Sequence, residues 1–231
     1  MIEDPLILHI ETSTAVCSAA LSRGAALLSL KEDTEGRSHA RLLSVFIDEI
    51  LHEQHIEAKQ LDAVSVVEGP GSYTGLRVGV STAKGICYGI QKPLIAVKSL
   101  QSLAELAIHK ALLPDSNSLI APMIDARRME VYTALFDNSG NMVRHTEAII
   151  INEQSFEKEL EEHHIVFVGD GAEKCRSLLN HRNALFTTLN ASATGMVKIA
   201  LTAFAAQKFV DTAYFEPYYL KDFVATQAKK L

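Results

Sequence analysis

The strongest constraint on this chain is the order in which its apolar periodicity changes, because that order runs through twice. In the first half, strands are expected at residues 6–10, 16–21 and 25–31. A helix capped by Ser38 and reaching about residue 54 follows, then a strand at 63–67, a helix to residue 90, a strand at 94–97 and a helix at 99–112. Pro114-Asp115-Ser116-Asn117-Ser118 reads as a linker, and after it a weaker form of the pattern begins. Strands are expected at 119–125, 130–136 and 142–151, then a short acidic helix, a strand at 165–168 and helices at 172–179 and 193–209. Short β-branched or alternating runs between turn residues mark the strands, and apolar spacings of three and four mark the helices. Three strands followed by helix, strand and helix call for a mixed sheet covered by helices. The expectation is an α/β chain of two related lobes, 1–100 and 101–231, the second ending in a tail.

Size and charge narrow the function. A chain of 231 residues buries roughly 70% of its unfolded surface and needs no disulfide or metal to fold. Cys17, Cys87 and Cys175 are odd in number and form no CxxC, which removes zinc knuckles and redox pairs and points to small buried side chains in a reducing compartment. The net charge of −6, the absence of Trp and an aromatic content of 6% leave little for gripping or stacking nucleic acid directly. No run approaches 18 apolar residues, and the acidic opening Met1-Ile2-Glu3-Asp4-Pro5 is unlike a signal peptide, so no membrane contact and a cytoplasmic location are expected.

The loudest local signal is Gly69-Pro70-Gly71-Ser72-Tyr73-Thr74-Gly75, a glycine loop that opens a helix. Thr74 stands where a dinucleotide fingerprint or a Walker A loop needs glycine. The helix amides could still receive an anion; a tight strand-to-helix turn is the alternative. Glu11, after the first strand, fits a general base, a magnesium ligand or a turn carboxylate. On the helix after the loop, Leu76, Val80, Ala83, Cys87 and Ile90 form an apolar stripe. Gly75, Gly79, Thr82, Ile86 and Gly89 form a second, mostly small one. Glycine inside a helix costs about 1 kcal/mol relative to alanine, so such a stripe needs close approach of another helix, from this chain or a partner. The preceding helix carries Leu42, Leu43, Val45, Phe46, Ile47, Ile50 and Leu51, more than the ~100° stripe that one packed face requires. A partner surface and an internal core both explain it. His52 with His55, and His163 with His164, lack a third ligand and are expected as surface side chains. No HExxH or GxSxG occurs.

Four stretches carry a resemblance. Leu8-His9-Ile10-Glu11-Thr12-Ser13-Thr14 with Cys17-Ser18-Ala19-Ala20-Leu21 resembles the opening of the TsaB (YeaZ) family. Residues 68–79, Glu-Gly-Pro-Gly-Ser-Tyr-Thr-Gly-Leu-Arg-Val-Gly, are similar to its most specific motif, which it shares with its catalytic relatives. Residues 124–132, Ile-Asp-Ala-Arg-Arg-Met-Glu-Val-Tyr, and Glu216-Pro217-Tyr218-Tyr219-Leu220 resemble its second-lobe and tail signatures. The matches keep their order over nearly the whole chain.

The resemblance implies the two-lobed actin/hexokinase/heat-shock-ATPase fold with ribonuclease H-like lobes. It also implies a part in forming N6-threonylcarbamoyladenosine next to the anticodon of tRNAs that read codons starting with A. In that pathway TsaD transfers the threonylcarbamoyl group from an adenylate made by another enzyme. TsaB is its non-catalytic partner, and the TsaE ATPase joins them. No cofactor is then expected on this chain alone; ATP and a metal ion would sit in the partner subunits, and tRNA would be met through the complex. The basic residues Lys221, Lys229 and Lys230 would be a minor contact at most. Catalytic relatives hold a metal with HxxxH, and here His39 is followed at the fourth position by Leu43. The first phosphate loop, Glu11-Thr12-Ser13-Thr14, has no glycine, so Glu11, Thr12, Ser13, Gly69 and Gly71 are expected as a degenerate nucleotide loop. The resemblance assigns a TsaD or homodimer interface to Leu42, Leu43, Phe46, Ile47, Ile50, Gly75, Leu76, Gly79, Thr82, Ile86 and Gly89. The competing readings are a metal-dependent transferase and a small-molecule ATPase of the same fold.

Overall fold

The computed structural model describes residues 3–36 and 39–221, so Ser38, Lys229 and Lys230 lie outside the described residues. The first sheet is built from β1 (Leu6–Glu11), β2 (Cys17–Arg23), β3 (Ala26–Asp33), β4 (Ala63–Gly69) and β5 (Leu94–Lys98), in the order β3-β2-β1-β4-β5. The second uses β6 (Leu119–Asp125), β7 (Glu130–Phe136), β8 (Met142–Ile150), β9 (Ile165–Val168) and β10 (Ala184–Thr187), in the order β10-β9-β6-β7-β8. Read from the other edge this is the same topology. In each sheet the first strand pairs antiparallel with the second and parallel with the fourth, and the fourth pairs parallel with the fifth. The doubled sequence pattern is therefore a doubled fold. Every residue of β1 is buried, as is all of β9, which is why these strands read as continuous apolar runs rather than alternations.

The helices are α1 (His39–Glu53), α2 (Tyr73–Ile90), α3 (Ser99–His109), α4 (Glu157–Glu162) and α5 (Val197–Ala205). α1 and α2 lie on the first sheet, with Leu43, Ile47, Ile50, Val80, Ala83 and Cys87 packed against Leu8, Ile10, Ala19 and Val66. α2 starts at Ser72, whose hydroxyl accepts from Gly75 N at 3.2 Å, and ends at Gln91 in the left-handed region, φ 55°. All three cysteines are free and buried. Among the described residues no helix is long and apolar enough to cross a membrane.

Three elements depart from expectation. The helix expected at 172–179 is only a 3-10 turn, Glu173–Cys175, although its buried positions Ala172, Cys175 and Leu179 keep the helical spacings of three and four. β10 has no counterpart in the expected pattern; its four residues are all half-buried and show no alternation. The helix expected at 193–209 divides into a 3-10 turn, Ala193–Met196, and α5.

The strands divide near residue 100, but the layers interlock. Leu100, Leu103 and Ala107 of α3 pack with Ile120, Ile124 and Phe136 of the second sheet. The chain then returns, and Ala193, Met196 and Ala200 pack on Ile7, Ala63, Val67 and Ile95 of the first sheet. Beyond α5 the tail stays on the first lobe. Val210 N donates to Leu94 O at 2.9 Å, and Phe215 joins the apolar cluster under α1 and α2.

Candidate functional site

The site is where matching turns of the two lobes converge. In the first lobe the β1–β2 turn meets the β4–α2 loop. Ser72 N donates to Ser13 O at 2.7 Å. A Cβ at Gly71 would overlap the Ser13 carbonyl, one at Gly75 the Thr12 carbonyl, and one at Gly79 the Thr12 hydroxyl. Gly69, at φ 114°, faces the tail, where a Cβ would stand 2.6 Å from Tyr218 O. Glu11, Thr12, Ser13, Gly69 and Gly71 thus come together, and the missing side chains of the loop and helix glycines make room for the chain's own turn rather than for a phosphate.

Glu11 is wholly buried. Its Oε1 accepts from Ser13 N at 2.7 Å and Ser13 Oγ at 2.6 Å, while Oε2 is without a partner among the described residues. Burial pushes its carboxyl up to about 7 against the pull of the Ser13 hydrogen bonds, and the nearby charges of Asp170 and Glu32 add to the rise. In the second lobe Asp125 holds the matching strand end and accepts from Arg127 N at 2.8 Å. Asp170 Oδ1 accepts from Asp125 N at 3.0 Å. Lys174 pairs with Asp125 and donates to Glu130 O at 2.7 Å. Gly169, at φ 104°, repeats the conformation of Gly69, and Arg127 and Arg128 sit in the left-handed region at φ 73° and 52°.

The tail closes the assembly. Tyr218 N donates to Glu68 O at 2.7 Å, the Tyr219 ring lies 5.0 Å from that of Tyr73, and Lys221 pairs with Glu130 at 2.6 Å. Residues 68–79, 124–132 and 216–220, far apart in sequence, form one region. Lys221 spends its charge on Glu130, so it is not a free cation.

On the helices the structure sorts the expected interface residues. Leu43, Ile47, Ile50, Gly75, Leu76 and Gly79 are buried inside this chain. They fill the core under the helices, which corrects their placement on a contact surface. The close approach expected at the small stripe is made by Thr12 at Gly75 and Gly79, not by a helix. Leu42, Phe46, Thr82 and Ile86 are half-buried, and Gly89 is exposed with open space around it. Val45 and Tyr88, at 45% and 78% exposure, extend that outer face.

The histidines behave differently from one another. His39 Nε2 lies 3.1 Å from Val16 O, and Leu43 at the fourth position after it is a core residue. His163 and His164, expected as solvated, hold the linker: Nδ1 of the first lies 2.9 Å from Asn117 O, and Nδ1 of the second 2.7 Å from Asp115. His9 was not singled out from the sequence. It is fully buried between Ser65 Oγ at 2.7 Å and Ser22 Oγ at 2.8 Å, and burial lowers its imidazole to about 3. A histidine at an inward position of an otherwise apolar strand was the available signal.

Comparison with known proteins bears on this geometry. The family model described as TsaD, tRNA N6-adenosine threonylcarbamoyltransferase, matches residues 33–229. The tRNA threonylcarbamoyladenosine biosynthesis protein TsaB of Escherichia coli K12 is 30% identical over 226 residues, which span 95% of this chain and 96% of that protein. A crystal structure of a Pseudomonas aeruginosa protein described as similar to the peptidase YeaZ superposes with a TM-score of 0.81 at 24% identity, covering 94% of this chain and 100% of the other. The activator of the 2-hydroxyisocaproyl-CoA dehydratase from Clostridium difficile, solved with ADPNP, superposes with a TM-score of 0.51 at 10% identity over 88% of this chain and 96% of its own. The last two share the fold alone. The likeness to TsaB over almost the full length of both chains, carried by motifs that the fold gathers into one region, establishes that this chain belongs to the TsaB family.

Proposed function

We propose that this protein is the non-catalytic partner of TsaD in the formation of N6-threonylcarbamoyladenosine in tRNA. The observation that carries this reading is the end-to-end likeness to the Escherichia coli TsaB protein. Two features of the chain support the non-catalytic part. The first-lobe phosphate loop is packed shut by Thr12 and Ser13, and the position that would complete HxxxH is the buried Leu43. ATP and metal chemistry then belong to TsaD and TsaE. The same features speak against a transferase or ATPase in its own right.

The contact surface for TsaD, or for a second copy of this chain, is the outer face of α1 and α2. Leu42, Val45, Phe46, Thr82, Ile86, Tyr88 and Gly89 form it, and tRNA is reached through the assembled complex. Thr82→Arg and Tyr88→Glu place charge on this face while leaving the core intact, and each should weaken TsaD binding by at least about tenfold, or 1.4 kcal/mol, in calorimetry. Unchanged affinity would remove the helix face from the interface. Gly79→Arg is a poor probe, since it displaces Thr12 inside the fold.

The function itself is tested by reconstitution. Unmodified tRNA is incubated with threonine, bicarbonate, ATP, the adenylate synthase, TsaD and TsaE, with and without this protein, and the modified nucleoside is read by mass spectrometry. Product that needs both this chain and TsaD is expected, and His39→Ala should leave it largely intact. Product formed without TsaD would make this chain the transferase.

A further inference from the structure

A cavity of about 380 Å3 opens between the lobes beside the glycine loop. Glu68 is the next-to-last residue of β4, and Lys98 ends β5. Met142, His145 and Thr146 face them from β8, and Tyr218 of the tail completes the wall. The side chains of Glu68, Lys98, His145, Thr146 and Tyr218 make no hydrogen bond or ion pair among the described residues. Elsewhere on the molecule Lys31, Lys174, Lys198, Lys221, Arg144 and Arg176 are paired with carboxylates, whereas among the described residues the exposed Lys110, Lys158 and Lys208, like Lys98, are not. Glu68 and Lys98 sense each other's charge without forming a bridge. Burial pushes the Glu68 carboxyl up, and Lys98 offsets only part of that rise. The pocket therefore places the half-buried Glu68 carboxylate near the exposed Lys98 ammonium and His145 imidazole with no bridge between them.

We propose that this cavity binds a small free α-amino acid, with its ammonium on Glu68 and its carboxylate on Lys98 and His145. The charge arrangement selects the class. A simple anion would leave Glu68 unpaired and facing a like charge, and a simple cation would do the same to Lys98. A zwitterion satisfies both, and desolvating opposite charges together is far less costly than desolvating one alone. Met142 offers an apolar wall for a short side chain, and Thr146 and Tyr218 complete the lining. The volume sits near the lower end of the roughly 300–1,000 Å3 of small-molecule sites, which suits an amino acid better than a nucleotide. This site is separate from the α1 and α2 face, so it stands or falls independently of the TsaD reading.

The test uses the full chain alone. Glycine, L-serine and L-valine are titrated as probes, with acetate and methylammonium as half-ligands, by calorimetry and ligand-detected saturation-transfer NMR. At least one amino acid is expected to bind about tenfold or more tightly than either half-ligand. Lys98→Met and Glu68→Gln should each abolish that preference, while a Lys59→Met control, on the exposed surface away from the cavity, keeps it. If either cavity variant loses its thermal transition, the wild-type preference decides alone. No saturation transfer from any amino acid at millimolar concentration, or binding unaltered in two folded cavity variants, overturns the proposal. So does equal binding of acetate, which would mark a plain anion site.

Discussion

Gly75 and Gly85 are both glycines of α2, and they should respond in opposite ways to one methyl group. A Cβ at Gly75 meets the Thr12 carbonyl, which is backbone and cannot rotate away, whereas nothing lies within 4 Å of one at Gly85 or Gly89. Gly75→Ala is expected to destabilise by about 1–3 kcal/mol through overpacking. Gly85→Ala and Gly89→Ala are expected to stabilise by about 0.5–1 kcal/mol through helix propensity. Urea unfolding separates the two groups; equal effects at Gly75 and Gly89 would refute the packing account. Glu11 makes a pH prediction. The folded carboxyl keeps its proton to about 7, while the unfolded one releases it near 4.5, so this group lowers stability as pH rises through that window and no further above it. His9 acts the other way. The unfolded imidazole takes a proton below 6.5 and the folded one only near 3, so acid destabilises through it. The two slopes oppose each other between 4.5 and 6.5. Glu11→Gln isolates the first, because its carbonyl can still accept from Ser13. The stability gained by the variant should grow as pH rises from 4.5 to 7, and a gain independent of pH would contradict the burial account.

α2 shows how an element can be legible in outline and misread in detail. Its start after the glycine loop, its apolar stripe and its stop before Pro93 all follow from periodicity and capping. The Ser72 hydroxyl caps the Gly75 amide, so Ser72→Ala should cost about 1 kcal/mol in the same unfolding measurement. The role of the small stripe was not legible, because the spacing of small residues records that something comes close and not what comes close. A five-residue turn between β1 and β2 does so here, and only the antiparallel register of Glu11 with Ser18 swings that turn onto the helix. The breadth of apolar residues on α1 had the same ambiguity. Leu43, Ile47 and Ile50 went inward, leaving Leu42, Val45 and Phe46 for the outer face.

Across the molecule, the tail acts as a strap from the edge of β5 over α2 to the second lobe. Lys84 Nζ donates to Ala213 O at 3.1 Å and Phe215 O at 2.8 Å, and Lys221 reaches Glu130. The apolar anchor should matter more than the ion pair. Phe215→Ala is expected to cost about 2 kcal/mol, less than a fully buried phenylalanine. Lys221→Ala should change stability by less than about 1 kcal/mol, since its pair with Glu130 is partly exposed. Differential scanning calorimetry on both variants checks the ranking, and the reverse order would make the strap electrostatic.

The two-lobed α/β plan and the run of strands and helices were already written in the chain, because strand and helix periods are local and were repeated in both halves. The family motifs were legible for the same reason, as short runs of consecutive residues. Tertiary structure alone could show that α3 crosses to the second sheet and α5 returns to the first, that β10 exists, and that Thr12 and Ser13 fill the space the glycines leave. It alone could set Glu68 and Lys98 opposite His145 without a partner. Each of these depends on contacts between segments distant in sequence, whose geometry is decided by how the sheets stack and not by the residues next to them.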